Sequence, residues 1–119
     1  MRDSRGDVVL LDFPFSDASG SKVRPAIVAQ SNSLNRRLTS TLVVLVTKTT
    51  RRVSHEPTQF LIEIDSPAGK MAGLHFDSAV SCTNLYTVHR DFISYRIGRL
   101  PSELLPTLDA CLKAALGIA

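Results

Sequence analysis

Apolar residues in this 119-residue chain come in short runs broken by proline, glycine and small polar residues, and only the last run has helical spacing. Gly6-Asp7 followed by Val8-Val9-Leu10-Leu11-Asp12-Phe13 reads as a strand buried on both faces for much of its length, stopped by Pro14. Residues 15–21, rich in Asp, Ser and Gly, predict an exposed loop feeding a second strand over 22–28, the two strands forming a hairpin. Residues 31–37 combine capping residues with no apolar face, which predicts a short helical turn or loop. Leu42-Val43-Val44-Leu45-Val46 is the most apolar run and, being β-branched, predicts a central strand. It gives way abruptly to Thr47-Lys48-Thr49-Thr50-Arg51-Arg52.

Beyond a polar loop around 54–57, residues 60–64 predict another strand and Ser66-Pro67-Ala68-Gly69 a turn. Residues 78–82 form a strand of small residues that 86–88 continue or restart, and 92–98 form a further strand. Leu104, Leu105, Leu108, Cys111, Leu112, Ala115 and Leu116 recur at helical spacing, with Ser102 as N-cap and Gly117 as the stop. Pro106 requires either a late start or a distorted first turn. Many short strands and one amphipathic helix predict a mainly β fold with added α: a twisted antiparallel sheet rolled into a small barrel, the helix over one opening. No βαβ alternation, G-x-G-x-x-G or P-loop is present, which argues against nucleotide-cofactor chemistry.

Composition sharpens this in three ways. At 13.0 kDa, residues 1–119 are expected to form one domain with a single functional face. Hydrophobic residues make up 44%, but no apolar run approaches a membrane span, and the charged start lacks a signal-peptide pattern, so the expected location is cytoplasmic. Cys82 and Cys111 each lie in an apolar stretch outside any paired metal spacing and read as buried, reduced thiols. A net charge of +3 is compatible with a polyanionic partner without demanding one, so position matters more than total.

The position that matters most is Arg24. Pro25 holds it extended at the mouth of an apolar strand, on stiff backbone that suits phosphate recognition by a planar, five-donor fork. If strands 22–28 and 42–47 are neighbours, Arg24 and Thr47 share one concave rim, joining a charge to a hydroxyl donor where a phosphodiester under attack gathers charge. Lys22, Lys48, Arg51 and Arg52 would then line the path of a nucleic-acid backbone. On composition alone, ordinary strand-end residues beside a solvated basic loop are the plainer description. Metal-dependent hydrolysis lacks converging carboxylates, since Asp7, Asp12, Asp17, Asp77 and Asp91 are scattered. His75-x-Asp77 reads as a common pair at alternate strand positions, and His55 and His89 as exposed loop residues. No G-x-S-x-G elbow is present.

The order Arg5-Gly6-Asp7-Val8-Val9-Leu10, Lys22-Val23-Arg24-Pro25-Ala26-Ile27-Val28, Leu42-Val43-Val44-Leu45-Val46-Thr47, Gly73-Leu74 with Asp77-Ser78-Ala79-Val80, and Ile97-Gly98-Arg99-Leu100 before a helix ending Leu116-Gly117 resembles the MazF/PemK (Kid) toxin endoribonucleases along nearly the whole chain. The resemblance implies an SH3-like barrel, a homodimer, a cognate antitoxin whose disordered tail blocks the RNA groove, and cofactor-free, metal-independent cleavage of single-stranded RNA. It places Arg24 on the family's catalytic arginine and Thr47 on its catalytic hydroxyl. Arg24 would stabilise charge, with proton donation to the leaving oxygen open to it as a second role, and Thr47 would hydrogen-bond the phosphate. Where several members carry an acidic residue this chain has Thr83, so the base is left open among His55, Asp77 and other groups. The alternatives are a gyrase poison resembling the CcdB toxins, against which the absence of tryptophan counts, and a weakened nuclease that binds RNA or antitoxin.

Overall fold

The computed structural model describes residues 3–13 and 22–119; the loop expected over 15–21 lies outside the described residues. Among the described residues there are six strands: β1 (Asp7–Phe13), β2 (Lys22–Val28), β3 (Ser40–Thr47), β4 (Gln59–Ile62), β5 (Ser78–His89) and β6 (Ile93–Arg99). Three α-helices accompany them: α1 (Asn32–Arg37), α2 (Pro67–Ala72) and α3 (Leu105–Leu116). The strands pair antiparallel in the order β4-β5-β3-β2-β1-β6, which makes β3 interior and β1 with β2 antiparallel neighbours, as expected.

This order forces the sheet to curl. In a flat sheet β5 and β6 would lie four strand spacings apart, about 19 Å, yet only the 3₁₀ turn Arg90–Phe92 joins them. Four residue steps span at most about 14 Å. The sheet therefore rolls toward a barrel, and the fold is mainly β with a C-terminal helix, as the sequence pattern predicts. A wide bulge in β5 assists the bend: Cys82, Thr83 and Asn84 have no β3 partner between the Leu45–Ser81 and Val44–Leu85 pairs. Cys82 N–H donates instead to the Thr58 carbonyl at 3.0 Å, and Asn84 Nδ2 to Ser81 Oγ at 2.9 Å. Residues 78–82 and 86–88 thus belong to one continuous strand.

Alternation along the central strands feeds two cores. Val8, Ile27, Val44 and Val46 pack with Phe60, Ile62, Leu108 and Cys111 beneath α3. Val9, Leu11, Ala26, Val28 and Val43 pack with Val88 on the opposite face. Val8, Val9 and Leu11 are all fully buried, which is why β1 reads as apolar on both faces. Arg5 ties these layers together, donating from Nε to the Ala29 carbonyl at 2.9 Å and pairing through Nη2 with Asp109 Oδ1 at 2.6 Å.

Three local expectations are corrected. The turn expected over 66–69 opens helix α2, in which Ser66 Oγ accepts from Gly69 N–H at 3.0 Å and Pro67 takes a first-turn position. A six-residue helix is too short to show a periodic apolar stripe. Ser102 opens a 3₁₀ turn, Ser102–Leu104, and α3 starts later, at Leu105, so Pro106 falls in the first turn where no backbone donor is lost. The strand expected over 60–64 ends at Ile62. The helical segment over 31–37 is α1, its N-terminus capped by Ser31.

Helix α2 lies directly on β6, and the fit depends on a missing side chain. A Cβ on Gly98 would overlap the carbonyl oxygens of Met71 and Ala72. Gly98→Ala is expected to cost about 2 kcal/mol, measured as a lowered midpoint in thermal or urea unfolding. Cys82 on β5 and Cys111 on α3 are both buried and free, and they belong to the same apolar core. Burial, and secondarily Cys111, pushes the Cys82 thiol up to about 12. Neither thiol should react with an alkylating reagent in the native state at pH 8, and both should react on denaturation, as mass spectrometry would record. Stability should fall as pH rises from about 9 toward about 12, because the unfolded chain releases the Cys82 proton first.

Candidate active site

Proline creates the opening. Strands β2 and β3 pair through Val28–Val43, Ile27–Val44 and Ala26–Leu45, and there the ladder stops. The next residue on β2 is Pro25, which has no N–H to donate. Beyond it only β1 holds β2, through Leu10–Pro25, Leu11–Arg24 and Asp12–Val23. Continuing the β2–β3 register by two residues sets Arg24 opposite Thr47. The strands part at this point, and the two side chains line one concavity of about 660 Å³.

The chemistry of its wall is specific. Thr49 N–H donates to Thr47 Oγ1 at 3.2 Å, which occupies an acceptor site of the hydroxyl and leaves its proton free for a ligand. Lys48 Nζ sits 4.5 Å from the centroid of the Phe76 ring, a cation–π contact that joins the end of β3 to segment 73–78. That segment is fixed elsewhere too. Gly73 ends α2 in the left-handed conformation, with φ of +72° and the Ile97 carbonyl where a Cβ would be, so only glycine fits. Ser78 Oγ donates to the Phe76 carbonyl at 2.7 Å, and Ile64 N–H donates to Asp77 Oδ1 at 2.8 Å. His75 and Tyr95 complete the polar lining, over an apolar floor that includes Leu10, Val46 and Ile97.

The structure therefore brings Arg24, Thr47 and Lys48 together and leaves other expected residues outside. Arg51, Arg52 and His55 are exposed on the connection after β3 and do not line the concavity. Lys22 begins β2, its side chain outside the described residues. Asp77 also does not line the wall, and one of its carboxylate oxygens caps the end of β4. Thr83 is exposed on the β5 bulge, with Oγ1 3.4 Å from Ser81 Oγ. His75 and Asp77 were expected at alternate positions of a strand, but both precede β5 in an irregular segment. His75 is the lining residue that sequence reasoning passed over, and its one signal was its place after Gly73, the residue that ends α2. Among the described residues, no three His, Cys, Asp or Glu side chains gather where they could hold a metal ion.

A family model described as PemK-like, MazF-like toxin of type II toxin-antitoxin system matches residues 4–116. The chain belongs to this toxin family. Among curated proteins, Endoribonuclease MazF6 of Mycobacterium tuberculosis is 28% identical over 117 residues, covering 97% of each chain. Endoribonuclease EndoA of Bacillus subtilis is 27% identical over 115 residues, covering 96% of this chain and 94% of its own. The PemK/MazF fold is also found by superposition. The Mycobacterium tuberculosis toxin MazF-mt6 aligns with a TM-score of 0.76 at 21% identity, over 95% of this chain and 98% of that one. A mycobacterial endoribonuclease solved with its cognate antitoxin aligns with a TM-score of 0.77 at 20% identity, over 98% and 97%.

Proposed function

We propose that this PemK/MazF-family toxin is an endoribonuclease that cuts single-stranded RNA at short sequences without a metal or cofactor, and that it works as a cytoplasmic homodimer held in check by a cognate antitoxin. The observation that carries this reading is the facing of Arg24 and Thr47 across the parted end of the β2–β3 ladder. The reaction begins with the ribose 2′-hydroxyl attacking the adjacent phosphorus. Charge builds on the non-bridging oxygens as the bond to the 5′-oxygen breaks. A guanidinium on rigid backbone and a hydroxyl whose acceptor side is already engaged present donors to those oxygens without reorganising, which is how such barriers are lowered.

RNA binding is shared more widely. Lys48, held on Phe76, meets the phosphate beside the cut, while Lys22, Arg51 and Arg52 supply the surrounding salt-sensitive attraction. Phe76 and Tyr95, 56% and 62% exposed, offer aromatic faces for unstacked bases at the rim. The names of the mycobacterial and Bacillus relatives, both endoribonucleases, support the activity, and the mycobacterial complex supports an antitoxin partner. Thr83 keeps a second reading in view, a member that holds RNA or antitoxin and cuts weakly, because the exposed β5 bulge carries no carboxylate at that position.

Purified protein incubated with mixed-sequence single-stranded RNA in chelator should give discrete fragments ending in 2′,3′-cyclic phosphate. Intact RNA at high protein concentration would overturn the reading, and RNA retained but uncut would favour the weakened member. Arg24→Ala should fold normally and lose about 10²–10³-fold in cleavage rate. Thr47→Ala, which removes a neutral donor, should lose about tenfold. Single-turnover kinetics on one cleavable strand would rank the two.

A further inference from the structure

We propose that His75 is the general base that takes the proton from the attacking 2′-hydroxyl, an assignment that rests on the endoribonuclease reading above. Among the described residues, the concavity that holds Arg24 and Thr47 has no carboxylate in its wall. Its remaining ionisable groups are Arg24, Lys48, His75 and Tyr95. Guanidinium, ammonium and phenol groups keep their protons at neutral pH, whereas an imidazole offers a free nitrogen there. His75 is thus the one group in the described wall that can accept a proton. The residues first considered for this role do not reach the wall: His55 lies on the connection after β3, and Asp77 Oδ1 is engaged by Ile64 N–H at 2.8 Å.

Placement supports the assignment as much as elimination does. The contact between Lys48 and the Phe76 ring, 4.5 Å from Nζ to centroid, joins the residue after Thr47 to the residue after His75. Imidazole and hydroxyl are therefore each one residue from a shared anchor. The backbone that carries His75 is fixed at Gly73 by its close approach to Ile97, and at Phe76 and Asp77 by hydrogen bonds. No described residue hydrogen-bonds the His75 side chain, which is exposed to the groove, so both ring nitrogens are available to substrate.

The groups facing His75 fit the role. Arg24 from β2 and Lys48 from the end of β3 bring positive charge, Tyr95 from β6 brings a neutral phenol, and Asp77 follows two residues later on the same segment. In the step itself, the 2′-oxygen bonds to phosphorus and gives its proton to an imidazole nitrogen, while the bond from phosphorus to the 5′-oxygen breaks. The leaving oxygen takes a proton from water in the open groove, and the imidazolium returns its own to the hydroxide so formed. The products are a 2′,3′-cyclic phosphate and a 5′-hydroxyl, with no net change in protons.

The test compares wild type, His75→Ala and His75→Gln on one single-stranded RNA in chelator, from about pH 5 to 8. Binding is measured in parallel on the same strand carrying a 2′-deoxynucleotide at the cut. Wild-type cleavage should rise with pH across this range and level off. His75→Ala should be slower by about 10²-fold at the plateau, lose the rising limb, bind the deoxy strand within about twofold of wild type, and recover rate on addition of free imidazole. His75→Gln, which keeps polarity and bulk, serves if the alanine variant fails to fold and should be equally slow. Wild-type rates and an unchanged pH profile in either folded variant would overturn the assignment while leaving the endoribonuclease reading intact. A loss of deoxy-strand binding as large as the loss of rate would overturn it as well, making His75 a binding residue. RNA left whole by the wild-type protein would instead remove the endoribonuclease reading, and this assignment with it.

Discussion

Three residues, Arg90–Phe92, set the shape of this protein. They join strands that the pairing order puts at opposite sides of β3, β2 and β1, and so short a link can be made only if the sheet closes on itself. Closure turns one face of the sheet into the enclosed core of Val9, Leu11, Ala26 and Val28 and leaves the other to α3. It also brings β6, with Tyr95 and Ile97, around to the wall that Arg24 and Thr47 share. The functional groove is thus a product of closure and not of any one strand.

Within that frame, a second constraint decides where the groove opens. Backbone amides of interior strands are normally paired, and a ladder that ends inside a sheet needs a cause. Pro25 supplies it by removing a donor at the residue that follows Arg24, so that the residue with the strongest phosphate-binding geometry stands where the strands part. Thr47 stands opposite because the register, once set by three apolar pairs deep in the sheet, carries on past the break. The apolar core, the missing N–H and the charged fork are successive links in one chain of causes.

How much of this the sequence disclosed depends on the range of the forces involved. Strands β1, β2 and β3 were legible because β-branched runs and turn residues act locally, and Arg24 with Thr47 because both sit at the ends of those runs. The late start of α3 was foreseen at Pro106 as one of two outcomes. Helix α2 was missed because six residues carry no periodic stripe, and its position depends on a distant glycine, Gly98, in β6. His75 was misread for the same reason. As a residue of β5 it would be one of a common pair, and only the packing of α2 against β6 and the Lys48–Phe76 contact place it in the wall. Asp77 misled in the opposite sense, since its hydrogen bond to Ile64 is invisible until β4 and β5 are paired.

The pairing order also has a consequence for synthesis. One edge of β1 is satisfied by β2 as soon as residue 28 has been made, but its other edge waits for residues 93–99, and the ion pair from Arg5 waits for Asp109. The wall contributed by Tyr95 and Ile97 does not exist in a nascent chain that carries only the first five strands. An unfinished polypeptide on the ribosome therefore has Arg24 and Thr47 but lacks the side of the groove that β6 supplies.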